Sequence, residues 1–277
     1  MKINKKCFLK NLKISSYILI FDSGIGGLSI YDDIVKIFPN MNYIYFVDND
    51  YFPYGEKQSN IIIQRVIDLL NYIYKKHNLL IVIIACNTVS TIGLKILRKK
   101  FHFPIIGVFP NIPLATKLTN NGIIGIIATN LTISGNYIQK IVNKLSTYYE
   151  IKTISSPELV ELAEKKVYKK KIDKSVILNT LKPWTQIKKR PDIIVLGCTH
   201  YNFLYQEIKK EFFNKILLLN SNLVVLKKIF CIFDKIKKKN FYKKKNLVYY
   251  TKFFYQKDIF LSLFKERGFE IFKKISF

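Results

Sequence analysis

Short apolar runs rich in Ile and Val recur along the chain, and each is followed by a polar or Gly-containing turn and then by a helical stretch. The runs do not alternate polar and apolar residues, which is typical of parallel strands buried on both faces. Strands that alternate with helices indicate an α/β fold. Ligands of such sheets bind at the carboxyl ends of the strands, so any site is expected there.

The spacing of apolar residues predicts the individual elements. The predicted strands are Tyr17–Phe21, Tyr43–Val47, Leu80–Ile84, Ile105–Val108, Ile123–Ile127, Ile193–Leu196 and Ile216–Leu219. The predicted helices include Gln58–His77, Thr91–Lys100, Ile133–Leu145, Pro157–Lys170, Ser175–Lys189 and Phe203–Phe213. A chain of 277 residues, 49% of them hydrophobic, suffices for one large domain or two ordinary ones.

Two segments of the sequence each have a similar counterpart later in the chain. Residues 17–24 resemble residues 123–130, and residues 81–88 resemble residues 193–200. Asp22 aligns with Thr129, 107 positions later, and Cys86 aligns with Cys198, 112 positions later. The nearly equal displacements suggest one α/β unit present twice. If the two units pack about a pseudo-two-fold axis, both cysteines face one cleft from opposite sides.

Cys86 and Cys198 each follow an apolar run and a small residue, and each precedes polar residues. A helix that starts there would direct its N-terminal amides at the sulfur and lower the pKa of the thiol. We therefore expect both groups to be able to exist as thiolates. The alternative is that each cysteine is only a small buried hydrophobic residue. In that case the same local pattern would have arisen twice without a catalytic reason. Cys7 and Cys231 lack this context, and we expect no catalytic role for them.

The segment from Asp22 to Gly27 is a Gly-rich turn at the end of a predicted strand. It lacks the third Gly of the dinucleotide-binding fingerprint, because Ser29 stands at that position. Its amides could instead hold a carboxylate, with Asp22 orienting the thiol or a substrate ammonium rather than a metal. His200 could assist Cys198 in proton transfer or merely cap a helix, and the sequence leaves both open.

The formal net charge of +27 raises the possibility of a nucleic-acid partner. Only four of the 46 basic residues are Arg, however, and the Lys excess accompanies high Ile, Asn, Phe and Tyr. These residues have AT-rich codons, so genome composition explains the bias and we expect no nucleic-acid partner. The Lys-rich segment Lys235–Lys245 is then expected to be a solvated connector.

A membrane-spanning segment and structural disulfide bonds are also not expected. No apolar run approaches the roughly 20 residues that cross a bilayer, and no signal-peptide cleavage pattern follows the first apolar run. Four cysteines in a chain of this length do not form a disulfide scaffold. We expect a cytoplasmic protein with reduced thiols.

Four motifs stand in the order and approximate spacing of the glutamate racemases, and the chain is similar to the enterobacterial type of that family. The motifs are Asp22-Ser-Gly-Ile-Gly-Gly-Leu28, Pro53-Tyr54-Gly55, Ala85-Cys86-Asn87-Thr88 and Leu196-Gly-Cys198-Thr199-His200-Tyr201. The resemblance extends through residues 125–129 and 160–164 to residues 267–270. It therefore covers nearly the whole chain.

The resemblance implies two similar α/β domains with mostly parallel sheets and an active site in the cleft between them. The first domain would be residues 1–110 with Asp22 and Cys86, and the second would be residues 111–220 with Cys198 and His200. Residues 221–277 would return to the first domain. The family uses no cofactor, and no metal site is expected.

The resemblance also implies roles for individual residues. Cys86 corresponds to the thiolate that removes the α-proton of D-glutamate, and Cys198 to the one that acts on L-glutamate. Asp22 and His200 correspond to the residues that assist these thiols. The expected substrate-binding positions are Asp22, Ser23, Pro53, Tyr54, Gly55, Asn87, Thr88, Thr199, His200 and Glu164.

The implied function is supply of D-glutamate for peptidoglycan, and some enterobacterial-type members respond to a nucleotide cell-wall precursor. The nearest rival is a two-thiol racemase acting on aspartate or a hydantoin, and the second is a degraded ligand-binding protein without turnover. A nucleic-acid-binding role is third. Asn202 and a three-residue turn depart from the family pattern, and the region after residue 222 looks eroded. Asn202 stands where Pro is usual, and Asn220-Ser221-Asn222 replaces an Asp-Ser-Gly turn. Neither departure alters an expected catalytic position, and the sequence indicates no oligomeric state.

Overall fold

Ten strands form two separate sheets in the computed structural model, which describes residues 16–234, 242–254 and 256–276. Every strand pair in both sheets is parallel. The strands are β1 Tyr17–Asp22, β2 Asn42–Val47, β3 Leu79–Ile84, β4 Ile105–Gly107, β5 Ile123–Ala128, β6 Glu150–Ser155, β7 Ile193–Leu196, β8 Leu217–Leu219, β9 Asn246–Tyr250 and β10 Phe269–Lys274. The predicted α/β class with parallel sheets is confirmed.

The two sheets share one strand order. The first has the order β10-β9-β2-β1-β3-β4 and the second the order β6-β5-β7-β8. Within the first sheet the segment β2-β1-β3-β4 therefore matches the whole second sheet, strand for strand. This is the arrangement expected of one unit present twice. Strands β9 and β10 extend only the first sheet, while the division at residues 110 and 220 stays a prediction.

Helices connect the strands and cover both sheets. They are α1 Leu28–Ile37, α2 Ser59–Lys76, α3 Asn87–Lys100, α4 Ile112–Leu118, α5 Asn130–Ser134, α6 Asn136–Leu145, α7 Pro157–Val167, α8 Ser175–Thr185, α9 Tyr205–Glu211, α10 Asn222–Phe233 and α11 Lys257–Lys265. Two 3₁₀ turns, Tyr54–Glu56 and Thr199–Leu204, follow strands β2 and β7. Both turns carry residues of the predicted site.

Several predicted boundaries were wrong. The helix expected from Thr91 begins at Asn87, directly after Cys86. The helix expected over Ile133–Leu145 is interrupted at Gly135, whose backbone is extended and separates α5 from α6. The helix expected over Phe203–Phe213 starts as a 3₁₀ turn at Thr199 and becomes α-helical only at Tyr205.

Strands β6 and β10 were missed because their sequences lack a continuous apolar run. Strand β9 was missed although Leu247–Tyr250 is a short, buried apolar run. Strand β6 lies at a sheet edge and alternates exposed with half-buried residues, as an edge strand with one solvated face does. The N-terminal segment with Cys7, and residues 235–241 of the expected Lys-rich connector, lie outside the described residues. Among the described residues, no helix is both long and apolar enough to cross a membrane.

The two departures from the family pattern make contacts between the halves of the molecule. Asn202 follows β7 and donates from Nδ2 to Oγ of Ser29 in α1 at 2.9 Å. Asn222 donates from Nδ2 to the Ser29 carbonyl at 3.1 Å and to Oδ2 of Asp33 at 2.7 Å. Two segments from the second half of the chain, after β7 and at the start of α10, thus contact α1, the first helix after the Gly-rich turn.

Candidate active site

Cys86 and Cys198 follow equivalent strands of the two sheets, β3 and β7. Each is nearly inaccessible, with 7% and 8% of its surface exposed. They are close enough that the charge of Cys198 raises the pKa of Cys86. The structure therefore brings both thiols into one buried region at the carboxyl edges of the sheets.

The surroundings of Cys86 hold its thiol in the protonated form. Burial raises the pKa of Cys86 well above its usual value, and the negative charge of Asp22 raises it further. The amides of Thr88 and Val89, at the start of α3, bond to the sulfur and lower the pKa, but they do not outweigh burial. This is contrary to the expectation that both cysteines can exist as thiolates: for Cys86, desolvation disfavours the charged form more than two amides favour it.

Asp22 is the last residue of β1, and its side chain forms hydrogen bonds with amides of the Gly-rich turn that follows. Its carboxylate accepts from the Ser23 amide at 2.8 Å and from the Gly27 amide at 2.7 Å. Burial raises its pKa to about 6, while the positive charge of His200 and the two amides lower it. Asp22 is therefore a buried carboxyl that changes charge near neutral pH, next to Cys86.

The Gly-rich turn packs directly against the second sheet's residues. A Cβ on Gly26 would lie 2.5 Å from Nδ1 of His200 and 2.6 Å from Oγ1 of Thr199. A Cβ on Gly24 would clash with Oε1 of Glu164. Real Cβ atoms do not approach so closely, so these two positions require glycine for the halves of the site to meet.

Cys198, His200 and Glu164 form a connected group. Nδ1 of His200 lies 3.7 Å from Sγ of Cys198, and Nε2 lies 2.8 Å from Oε1 of Glu164. Although burial lowers the pKa of His200, the bonds with Cys198 and Glu164 raise it well above its usual value. Oε1 of Glu164 also accepts from the amide of Ile25 at 2.9 Å. Of the two interpretations of His200, this geometry favours assistance to Cys198.

Three buried threonine hydroxyls meet where the two sheets approach each other. Oγ1 of Thr88 lies 3.0 Å from that of Thr129 and 3.4 Å from that of Thr132, and the latter two are 3.0 Å apart. Thr129 and Thr132 were not among the predicted site residues. The internal repeat carried the signal for Thr129, because it aligns this residue with Asp22.

The other predicted residues lie around the same region. Asn87 and Thr199 are buried, and Nδ2 of Asn87 has no hydrogen-bond partner in the structure. Ser23 is buried in the Gly-rich turn. An unpaired buried donor is costly, so Nδ2 of Asn87 is suited to bind a ligand oxygen.

The segment from Pro53 to Gly55 lies over this region. A Cβ on Gly55 would be 2.5 Å from Cβ of Thr129, so the turn packs closely against the residue that follows β5. Among the described residues, no group of three His, Cys, Asp or Glu side chains is arranged to hold a metal ion.

Comparison with known proteins places this geometry among racemases. Residues 18–229 match the family model described as Asp/Glu/Hydantoin racemase. A glutamate racemase of Pectobacterium carotovorum is 39% identical over 247 residues, which are 89% of this chain and 87% of that protein. One of Buchnera aphidicola is 43% identical over 262 residues, 93% of this chain and 99% of that protein.

Solved structures agree in fold over nearly the whole chain. The crystal structure of Escherichia coli glutamate racemase, in complex with L-glutamate and the activator UDP-MurNAc-ala, has a TM-score of 0.87 and 33% identity. It covers 95% of this chain and 98% of that one. A Francisella tularensis glutamate racemase in complex with D-glutamate has a TM-score of 0.78 and 25% identity, with the same coverage.

Proposed function

Since the chain belongs to the Asp/Glu/hydantoin racemase family, and within it to the glutamate racemases, we propose that it interconverts L-glutamate and D-glutamate by proton transfer between two thiols. The observation that carries the proposal is the pair of buried cysteines at equivalent strand ends, one beside Asp22 and the other beside His200. The product D-glutamate would serve peptidoglycan synthesis. Because the thiols must stay reduced, we place the protein in the cytoplasm.

The reaction needs a base on one face of the α-carbon and an acid on the other. For L-glutamate, the Cys198 thiolate takes the α-proton, and the bonding electron pair moves toward the α-carboxylate. The Cys86 thiol then delivers its proton to the opposite face, which leaves Cys86 as the thiolate. The raised pKa of Cys86 fits this starting state, in which Cys86 is the proton donor.

His200 and Asp22 assist the two transfers. The protonated imidazole of His200, held by Glu164, stabilises a thiolate at Cys198. The carboxylate of Asp22 favours loss of the α-proton to Cys86 in the reverse direction, because it can take a proton near neutral pH.

Buried donors hold the substrate and its developing charge. The unpaired Nδ2 of Asn87 and the hydroxyl of Thr199 can bind the α-carboxylate. The hydroxyls of Thr88, Thr129 and Thr132 can bind the second carboxylate of glutamate. Fixed donors of this kind stabilise charge at the carbanion without reorganisation.

Proton exchange in D₂O tests the two-thiol assignment. Replacing either Cys86 or Cys198 by Ala should lower racemisation by roughly 10²–10⁴-fold or more, because one general acid or base is lost. Cys86→Ala should still exchange the α-proton of L-glutamate, and Cys198→Ala that of D-glutamate, because each variant keeps one base. Cys231→Ala, a change at an exposed cysteine, serves as the control.

Near-normal racemisation in a folded Cys86→Ala or Cys198→Ala variant would contradict the assignment. Wild-type activity on aspartate that exceeds activity on glutamate would favour the first rival. A folded wild-type protein that exchanges neither enantiomer of glutamate would favour the degraded binding protein.

A basic groove of about 1300 Å³ is a second feature that bears on function. It lies between the end of α3 and helix α10, and its lining includes Arg98, Lys99, Lys227 and Lys228. Burial lowers the pKa of Lys228, and the charge of Arg98 lowers it further. Two neighbouring cations favour an anionic ligand, and we propose that a nucleotide cell-wall precursor such as the activator of the E. coli relative binds there.

Calorimetric titration with UDP-MurNAc-ala tests this second proposal. Lys228→Gln should weaken binding by about tenfold, because one charge-assisted contact to phosphate is lost. Lys140→Gln, at an exposed position of α6, should leave it unchanged. If the two variants bind UDP-MurNAc-ala with equal affinity, the groove is not its binding site.

A further inference from the structure

The segment Phe52–Gly55, here called the covering loop, contacts both halves of the proposed site. The ring of Phe52 lies 5.6 Å from the ring of His200. Gly55 packs against Thr129, and Tyr54 is fully buried and interacts electrostatically with Cys86. The position of this loop therefore decides the space that remains for a substrate between the two thiols.

The side chain of Tyr54 links the covering loop to the end of β2 in the first sheet. The backbone bonds of the loop are local, from the amide of Glu56 to the Pro53 carbonyl and from that of Lys57 to the Tyr54 carbonyl. The hydroxyl of Tyr54, in contrast, donates to Oδ2 of Asp48 at 2.5 Å. Asp48 directly follows β2, and its amide bonds to the Asp22 carbonyl.

Asp48 is completely buried, and both of its oxygens are occupied. Arg65 donates from Nε to Oδ2 at 2.6 Å and from Nη2 to Oδ1 at 2.7 Å. Thr251 donates from Oγ1 to Oδ1 at 2.8 Å. The carboxylate is thus held from α2, from the covering loop and from the segment after β9.

The ion pair makes Asp48 a rigid acceptor. A buried carboxylate is tolerated only when a counter-charge and hydrogen bonds replace water, and the guanidinium of Arg65 supplies both in a bidentate geometry. Arg65 is itself fixed, since its guanidinium carbon lies 3.8 Å from the centre of the Tyr51 ring. The oxygen that receives the Tyr54 hydroxyl therefore has little freedom to move.

We infer that Asp48, held by Arg65, is a positioning residue that fixes the covering loop over the substrate through the hydroxyl of Tyr54. The inference rests on the proposed function for the identity of the substrate. It assigns Asp48 and Arg65 no contact with the reacting atoms, and their effect reaches the substrate only through the loop.

Two variants test the inference, and each removes a hydroxyl that donates a hydrogen bond to the Asp48 carboxylate. Tyr54→Phe breaks the link between loop and carboxylate, and Thr251→Val breaks a bond on the opposite side. Tyr54→Phe should raise KM for both enantiomers of glutamate about tenfold and change kcat much less, because the loop contributes to binding in ground and transition states alike. Thr251→Val should leave KM within about twofold of the wild type, whatever it does to the melting temperature.

Amide hydrogen exchange over residues 51–58 gives a readout that does not depend on turnover. Tyr54→Phe should speed exchange in this segment, and Thr251→Val should not. The inference is overturned if Thr251→Val raises KM as much as Tyr54→Phe does, or if Tyr54→Phe leaves both KM and exchange unchanged. If the wild-type protein does not racemise glutamate, the proposed function fails, and the exchange comparison alone decides the inference on the loop.

Discussion

At the scale of the residue, the two thiols have different surroundings despite their equivalent positions. Cys86 has two helix amides and the carboxyl of Asp22, whereas Cys198 has the imidazole of His200. Burial and a neighbouring negative charge favour the neutral thiol, while a protonated imidazole favours the thiolate. The raised pKa of Cys86 suits it to act as the acid, and the imidazole beside Cys198 suits that thiol to act as the base.

Asp22 should impose an acidic limit on activity. Its pKa is raised to about 6, so below that pH the carboxyl is protonated and can no longer assist Cys86. We expect kcat/KM to fall about tenfold per pH unit below about pH 6 and to be level above it, as measured by circular dichroism of racemising glutamate. The two enantiomers have equal free energies, so the limit must be the same in both directions.

Asp22→Asn is the test of this prediction. The variant should have a lower kcat/KM above pH 6, because an amide cannot take a proton. Its kcat/KM should no longer fall with pH below about pH 6. His200 does not account for that fall, because its pKa is raised well above its usual value and it stays protonated across this range. An unchanged fall in Asp22→Asn would assign the titration to another group.

At the scale of the element, one strand-turn-helix unit is used twice with different turns. After β3, helix α3 begins at once, and its first amides face the sulfur of Cys86. After β7, the chain forms a 3₁₀ turn from Thr199 to Leu204, which places the side chain of His200 beside Cys198. The strand ends were predictable from the apolar runs. The turn types were not, because the contact of the Gly-rich turn with His200 and Thr199 joins residues more than 170 positions apart.

The close approach of Gly26 to the second sheet should make it intolerant of a side chain. In Gly26→Ala the new Cβ would lie 2.5 Å from Nδ1 of His200, so the halves of the site must separate. Overpacking of this kind costs about 1–3 kcal/mol of stability, and a displacement of about 1 Å lowers activity roughly 10²-fold. Urea unfolding and steady-state kinetics would measure both effects.

Gly93→Ala is the matched control for this substitution. Gly93 lies inside α3, and its added Cβ would lie 3.2 Å from Cγ1 of Ile63, with the next two atoms at the ordinary contact distances of 3.9 and 4.0 Å. Ala in a helix interior is favoured over Gly by roughly 0.5–1 kcal/mol, which offsets a small adjustment of Ile63. Activity should therefore be retained, and equal losses in the two variants would mean that Gly26 has no special contact.

At the scale of the whole molecule, two like sheets produce a site that neither contains alone. Asp22 and Cys86 come from the first sheet, and Cys198, His200 and Glu164 come with the second. Strands β9 and β10 return to the first sheet from the far end of the sequence, and Thr251 after β9 bonds the same carboxylate as the covering loop. Among the basic residues behind the net charge of +27, Arg65 holds Asp48, and Lys228 and Arg98 line the basic groove.

The sequence by itself determined the α/β class, the duplication and the expected positions of the chemistry, because these depend on local patterns: apolar runs, glycine turns and the residues that follow them. Only the tertiary structure decided which charges and hydroxyls meet. The protonated state of Cys86 follows from its burial beside Asp22, and the hydroxyls of Thr129 and Thr132 join the site because the sheets face each other. Burial and contact between distant segments set pKa values and donor positions, and neither quantity is encoded in the spacing of residues along the chain.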